Sequence, residues 1–184
     1  MSCRLIQNIK HTCLYNPGGI SEIYLLDIRD FVSYTFTGDA LYNTCYADRI
    51  NRYEYSKYIV LSQVSESNFT ESGDSGLYKQ QFTSFVGTIE AAKTADLLLA
   101  SANKYLVIFR NMQGKVYTFG QDGGASVSFT QISGQVGETA GYQVTISKES
   151  VYPLFELNPD ALSDNSYLME YVPDFEINYY CETV

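Results

Sequence analysis

The 184-residue chain has no tryptophan, one histidine, four scattered cysteines and fewer basic than acidic residues. Each scarcity narrows the function. With 12 Lys and Arg against 21 Asp and Glu the net charge is −9, which argues against a nucleic-acid binder, because such a protein needs a basic face to displace counterions. Cys3, Cys13, Cys45 and Cys181 form no C-x-x-C pair, so reduced thiols are expected. Cys3, His11 and Cys13 could in principle supply three ligands, but no zinc spacing is present, and neither a metal nor a cofactor is predicted. No run of about 20 apolar residues is present to span a membrane. The first ten residues lack the apolar core and cleavage site of a secretory signal, so a protein made and kept in a cytoplasm is expected.

What the chain has in quantity is tyrosine, 17 residues, with 10 Phe beside them. Tyrosine suits strands and interfaces, since its ring packs while its hydroxyl still finds a partner. Acidity is concentrated at one end. Residues 149–184 contain eight Asp and Glu and no Lys or Arg, so they account for −8 of the −9 and leave the rest nearly neutral. Fourteen large apolar or aromatic side chains from Tyr152 to Tyr180 share that region, too many for a free solvated tail. An arm over 150–184 that docks on a neighbouring subunit is therefore expected, with Phe155, Tyr171 and Phe175 among its contacts.

Strand-like runs cover Ile20–Ile28, Phe31–Phe36, Tyr58–Val64, Leu77–Phe85, Tyr105–Phe109, Lys115–Phe119, Ala125–Ile132 and Tyr142–Ile146. The one helix is expected over 88–102, capped by Thr88 and ended at Asn103, with Ile89, Ala92, Ala95, Leu99 and Ala102 as the stripe facing a sheet. Residues 66–76, rich in Gly and Ser, read as an extended loop or exposed hairpin tip. The expected class is mainly β: a β-sandwich or small barrel with one packed helix, forming a body over 1–149.

No motif survives as a catalytic site. Gly73-Asp-Ser-Gly76 matches the segment around the nucleophile of trypsin-like proteases, a chemistry that needs a histidine base beside the serine. His11 is the only histidine, and Leu77-Tyr78 follows where those proteases have Gly-Pro. A turn explains the four residues. Gly120-Gln-Asp-Gly-Gly124 is glycine-rich but lacks the Lys-Ser/Thr and the following helix of a phosphate loop, so a hairpin turn is expected. No enzyme is predicted.

The order strand, helix, then Arg110-Asn-Met-Gln-Gly-Lys-Val-Tyr-Thr-Phe-Gly120 and Gly134-Gln-Val-Gly-Glu-Thr-Ala-Gly-Tyr-Gln-Val-Thr-Ile146 resembles virion proteins of tailed phages and prophages of gut Bacteroidetes-type bacteria. The resemblance covers roughly residues 20–150 and leaves out the arm. It implies a tail-tube-like fold whose subunits join edge to edge into rings, six copies being the preferred number, that stack into a tube or a head–tail connector. It implies other virion proteins as partners, DNA passing through without specific binding, and a virion location after synthesis in the bacterial cytoplasm. Phe69, Thr70 and Glu71, in the 66–76 segment, are then candidate inter-subunit contacts. The competing expectation is a carbohydrate- or surface-binding β-sandwich whose tyrosines stack on sugars.

Overall fold

In the computed structural model the described residues are 18–36, 45–54, 56–61, 67–134 and 139–162. They form β1 (Ile20–Asp27), β2 (Phe31–Thr35), β3 (Tyr46–Ala47), β4 (Arg49–Arg52), β5 (Ile59–Val60), β6 (Asn68–Asp74), β7 (Leu77–Gly87), α1 (Ala91–Ala102), β8 (Lys104–Asn111), β9 (Val116–Phe119), β10 (Ala125–Ile132), β11 (Gly141–Ser150) and β12 (Phe155–Leu157).

The fold is organised around β8. Its run Tyr105-Leu-Val-Ile-Phe109 is apolar without alternation, the pattern of a strand buried on both faces. Tyr105, Val107 and Phe109 enter one core, and Leu106 and Ile108 enter another. Along one edge β8 pairs antiparallel with β1 over its whole length, Asp27 opposite Tyr105. Along the other edge it has two partners in succession. Its C-terminal half pairs with β9 and its first two residues pair with β10. The chain turns a corner between them at Gly120 and Gly124, both at positive φ; a Cβ on Gly120 would lie 2.8 Å from the Tyr105 carbonyl oxygen.

The sheet therefore forks. From β9 it runs through β12 to β3, the last pairing being parallel; from β10 it runs through β11 and β7 to β6. The second branch curls back over the first. The Phe69 ring of β6 lies 5.0 Å from that of Phe109 and 5.2 Å from that of Phe119. The result is an open β-sandwich. Of the two architectures expected the closed barrel is not formed, because among the described residues β6 ends the path without hydrogen-bonding to the other branch. On the far side of β1–β8–β9, the small β2–β4 sheet covers Leu26, Ile108, Val116 and Leu157 with Phe31, Tyr34 and Ile50.

Three expectations need correction. Residues 68–74 form a strand of an exposed hairpin rather than an extended loop: their register with β7 is continuous from Asn68↔Thr83 to Asp74↔Leu77, although of the seven only Phe69 is drawn inward. Only Ser75 and Gly76 turn, at φ 52° and 86°, the two-residue type I′ geometry that strand twist favours. The Gly120–Gly124 segment does not close a hairpin, since β9 and β10 lie along the same edge of β8. The arm does not begin at 150, because β12 is inserted in the sheet against β9, Phe155 opposite Thr118.

The helix differs too. Thr88 does not cap it; that residue has φ +67°, and Glu90 occupies the N-cap without a side-chain bond. The buried Tyr142 hydroxyl serves instead, accepting from the Glu90 amide at 3.3 Å and lying 2.6 Å from Thr94 Oγ1. Asn103 follows the helix in extended conformation, and its Nδ2 donates to the Leu99 carbonyl.

Candidate interaction surfaces

The described residues offer three surfaces: the sheet edges, a polar groove on the outer face of the β10–β11–β7–β6 branch, and the outer face of α1. β6 is the long edge, seven residues with a strand on one side only among the described residues. Only Phe69 turns far inward. Glu71 and Asp74 lie along this edge, and such charges oppose uncontrolled edge pairing. The other edge of interest is β5, where Ile59 and Val60 are both substantially exposed beside an exposed Lys57.

The candidate contact residues sort unevenly. Thr70 is exposed and lines the groove. Phe69 is engaged in its own core through Phe109 and Phe119. Glu71 holds its own subunit together: its Oε2 accepts from Gln80 Nε2 and from the Leu154 amide, both at 2.8 Å, pinning the 151–154 crossing to the end of the sandwich. Phe155 is 3% exposed, ringed by Tyr34 and Phe36. It therefore presents almost no surface to another chain, and its place on the arm is corrected by the insertion of β12. Tyr171 and Phe175 lie outside the described residues, as do Cys3, His11 and Cys13.

The groove has a volume of about 590 Å³ and is lined by strand residues including Thr70, Lys79, Gln81, Lys104, Ser126 and Lys148. Lys148 is drawn to Asp122, donating to its carbonyl at 2.6 Å, while Lys79 lies a loose 3.8 Å from Glu149. Among the described residues no aromatic ring lines it. No protein-family model, curated protein or solved structure matches this chain.

Among the described residues no group of three or more His, Cys, Asp or Glu is placed to hold a metal ion, and no helix is long and apolar enough to cross a membrane. Ser75 sits at the tip of the β6–β7 turn, donating to Asp74 Oδ1 at 2.9 Å. Two of the perturbed titratable groups make contacts that hold the fold together. Burial pushes the Tyr34 hydroxyl well above the ordinary tyrosine range, and it shares a 2.9 Å bond with Thr118 Oγ1 between the two layers. The Arg29 side chain, 2.7 Å from Asp27, holds that carboxyl below its usual value.

α1 is turned opposite to the expected orientation. Leu97 is its only buried residue, and Thr94 and Ala100 are half-buried beside it. The predicted stripe faces outward, with Leu98 57% and Leu99 59% exposed beside exposed Ala91, Ala92, Ala95 and Ala102. Lys93 and Thr94 face inward instead because Gly87's carbonyl and Tyr142's hydroxyl accept or share their hydrogen bonds.

Proposed function

We infer that the chain is a structural virion protein whose copies join through their sheet edges into a ring, the unit of a phage tail tube or head–tail connector. The observation that carries this reading is the open sandwich with the long β6 edge at one end of its path. An edge of this length, without a partner among the described residues, is a liability in a monomer and a joint in an oligomer. Pairing β6 with β6 would bring Glu71 and Asp74 against their own copies. Pairing β6 with a different edge, such as β5 with its neighbouring Lys57, avoids this clash. Unlike edges make a head-to-tail contact, which closes into a ring when the rotation per subunit allows. The resemblance of the 110–120 and 134–146 segments to tailed-phage virion proteins supports the same reading, with six copies preferred, DNA passing without specific contacts and other virion proteins above and below.

Sedimentation velocity from micromolar to tens of micromolar protein, with negative-stain microscopy of the same samples, tests it. Closed rings or stacked tubes are expected. A chain that stays monomeric throughout, including with crowding agents or phage partner proteins present, would refute it.

A further inference from the structure

The groove on the outer face of the β10–β11–β7–β6 branch is built on strand register. Thr70 lies opposite Gln81, Gln81 opposite Ser147, Ser147 opposite Ser126 and Ser126 opposite Lys104. These side chains form a single row across the sheet, about 19 Å long at a strand spacing of about 4.8 Å. None of them is committed to a hydrogen bond or ion pair within the described residues. One step along the strands, Lys79 stands opposite Glu149 in a loose 3.8 Å pair, largely exposed on both sides and therefore weak. Lys148 also lines the groove, but its ammonium is taken by Asp122.

We propose that this groove binds an acidic oligosaccharide, with a sugar carboxylate held at Lys104 and sugar hydroxyls laid along the row. The volume of about 590 Å³ is that of a small-molecule site. Hydroxyls and a primary amide both donate and accept hydrogen bonds, as sugar hydroxyls do. An apolar ligand would cover these groups without pairing them. An extended peptide spends its main-chain bonds on strand edges, not on a sheet face. Nucleic-acid bases have no ring to stack on among the residues that line the groove.

Without a stacking platform the anchor is ionic. Among the described residues Lys104 is the groove's one ammonium with no carboxylate paired to it. Gly124 steadies it: a Cβ there would lie 2.7 Å from Lys104 Cβ, so the corner backbone packs against the base of the lysine stem. Glu149, on β11, repels a second acidic group in its neighbourhood. The ligand therefore has a direction, its acid over β8 and its neutral hydroxyls over β11 and β7.

The site belongs to one chain, so the test reads binding and not assembly. The full chain is titrated calorimetrically at low salt with sialyllactose and with a hyaluronan tetrasaccharide. Each is compared with its methyl ester, which keeps the hydroxyls and loses the charge. Both acids should bind about tenfold or more tightly than their esters. Lys104→Glu, which keeps a charge at that position, should abolish the preference. Ser126→Ala combined with Ser147→Ala should weaken acid and ester alike, and serves as the second variant should Lys104→Glu fold poorly. Arg49→Ala, an exposed cation on β4 outside the groove, should change nothing. No binding of either acid at millimolar concentration, equal affinity for acid and ester, or equal loss with Arg49→Ala overturns the proposal. So does tighter binding of a short DNA duplex with the same dependence on Lys104, which would give the groove to phosphodiesters. Rings seen by microscopy in protein that binds neither acid would sink the groove site alone.

Discussion

Leu157→Ala tests whether the end of the described chain belongs to the body. Leu157 is fully buried among Leu26, Leu106, Ile108 and Val116, and its strand bonds to β9 on one side and β3 on the other. Truncating a buried leucine removes its transfer free energy and leaves a cavity that a layer packed on both sides cannot easily refill. The expected loss is about 3 kcal/mol. For a domain of this size that lowers Tm by roughly 6–12 °C. Glu156 is the control. It pairs with Lys115 at 3.0 Å, but Lys115 is half exposed and Glu156 about a third exposed, so Glu156→Ala should cost less than about 1 kcal/mol. With 17 tyrosines and no tryptophan, tyrosine fluorescence during urea unfolding, paired with far-ultraviolet circular dichroism, is a direct assay. One cooperative transition shifted to lower urea is expected. A Leu157→Ala variant with an unchanged midpoint, or one losing β12 in a separate early transition, would refute the placement of this strand in the core sheet.

Glu71→Ala should destabilise by about 1–3 kcal/mol, because the Leu154 amide loses its acceptor and the buried Gln80 keeps only the Tyr152 carbonyl; unfolding midpoints equal to wild type would refute its bridging role. Tyr34→Phe should cost about 1–2 kcal/mol at neutral pH by stranding buried Thr118 Oγ1. Because the folded-state pKa of Tyr34 is raised, its contribution is complete below the unfolded value and is lost as pH climbs above about 10. The variant should therefore show a shallower alkaline loss of stability in pH-dependent urea melts. Asp27 has the opposite sign: its lowered pKa adds stability above its unfolded value near 4 that disappears as pH falls through the folded value. Asp27→Asn should cost less than about 1 kcal/mol at pH 7, with the difference from wild type vanishing in acid; a difference that grows on acidification would reverse the assignment.

Strand content was legible wherever a run is either strictly alternating or wholly apolar. β10 falls on Ala125–Ile132 as read, and β1 and β8 within a residue or two at most ends. β3, β4 and β12 were not seen, since two to four residues carry no period; they are strands because the sheet supplies neighbours for them. The helix was found by its alanines and leucines, but its orientation was assigned by assuming the apolar stripe faces inward. Tyr142 overrides that assumption: its hydroxyl, delivered from a strand 48 residues beyond Thr94 and 52 beyond Glu90, anchors both and so sets which side of α1 meets the sheet. The surroundings of the candidate contacts are hidden for a related reason. Nothing local in the sequence reveals that Phe69 and Phe155 pack against rings of their own chain, or that the Tyr152–Leu154 crossing brings Glu71 a backbone amide to hold.

The strand shared by both branches of the sheet also sets a hazard for the chain before it folds. Burial on two faces requires Tyr105-Leu-Val-Ile-Phe109 to be apolar throughout, and such a pentapeptide is the kind of segment that nucleates cross-β aggregates when exposed. Lys104 and Arg110 bracket it, one charge at each end, in the position of gatekeepers. During synthesis β1 is available before β8 emerges, but β9, β10 and β11 all follow it, so one edge of the stickiest segment waits for partners not yet made. Yield of soluble protein should therefore depend more on Lys104 and Arg110 than their surface positions suggest, and the neutral variants at these two sites are the ones in which inclusion bodies are to be expected.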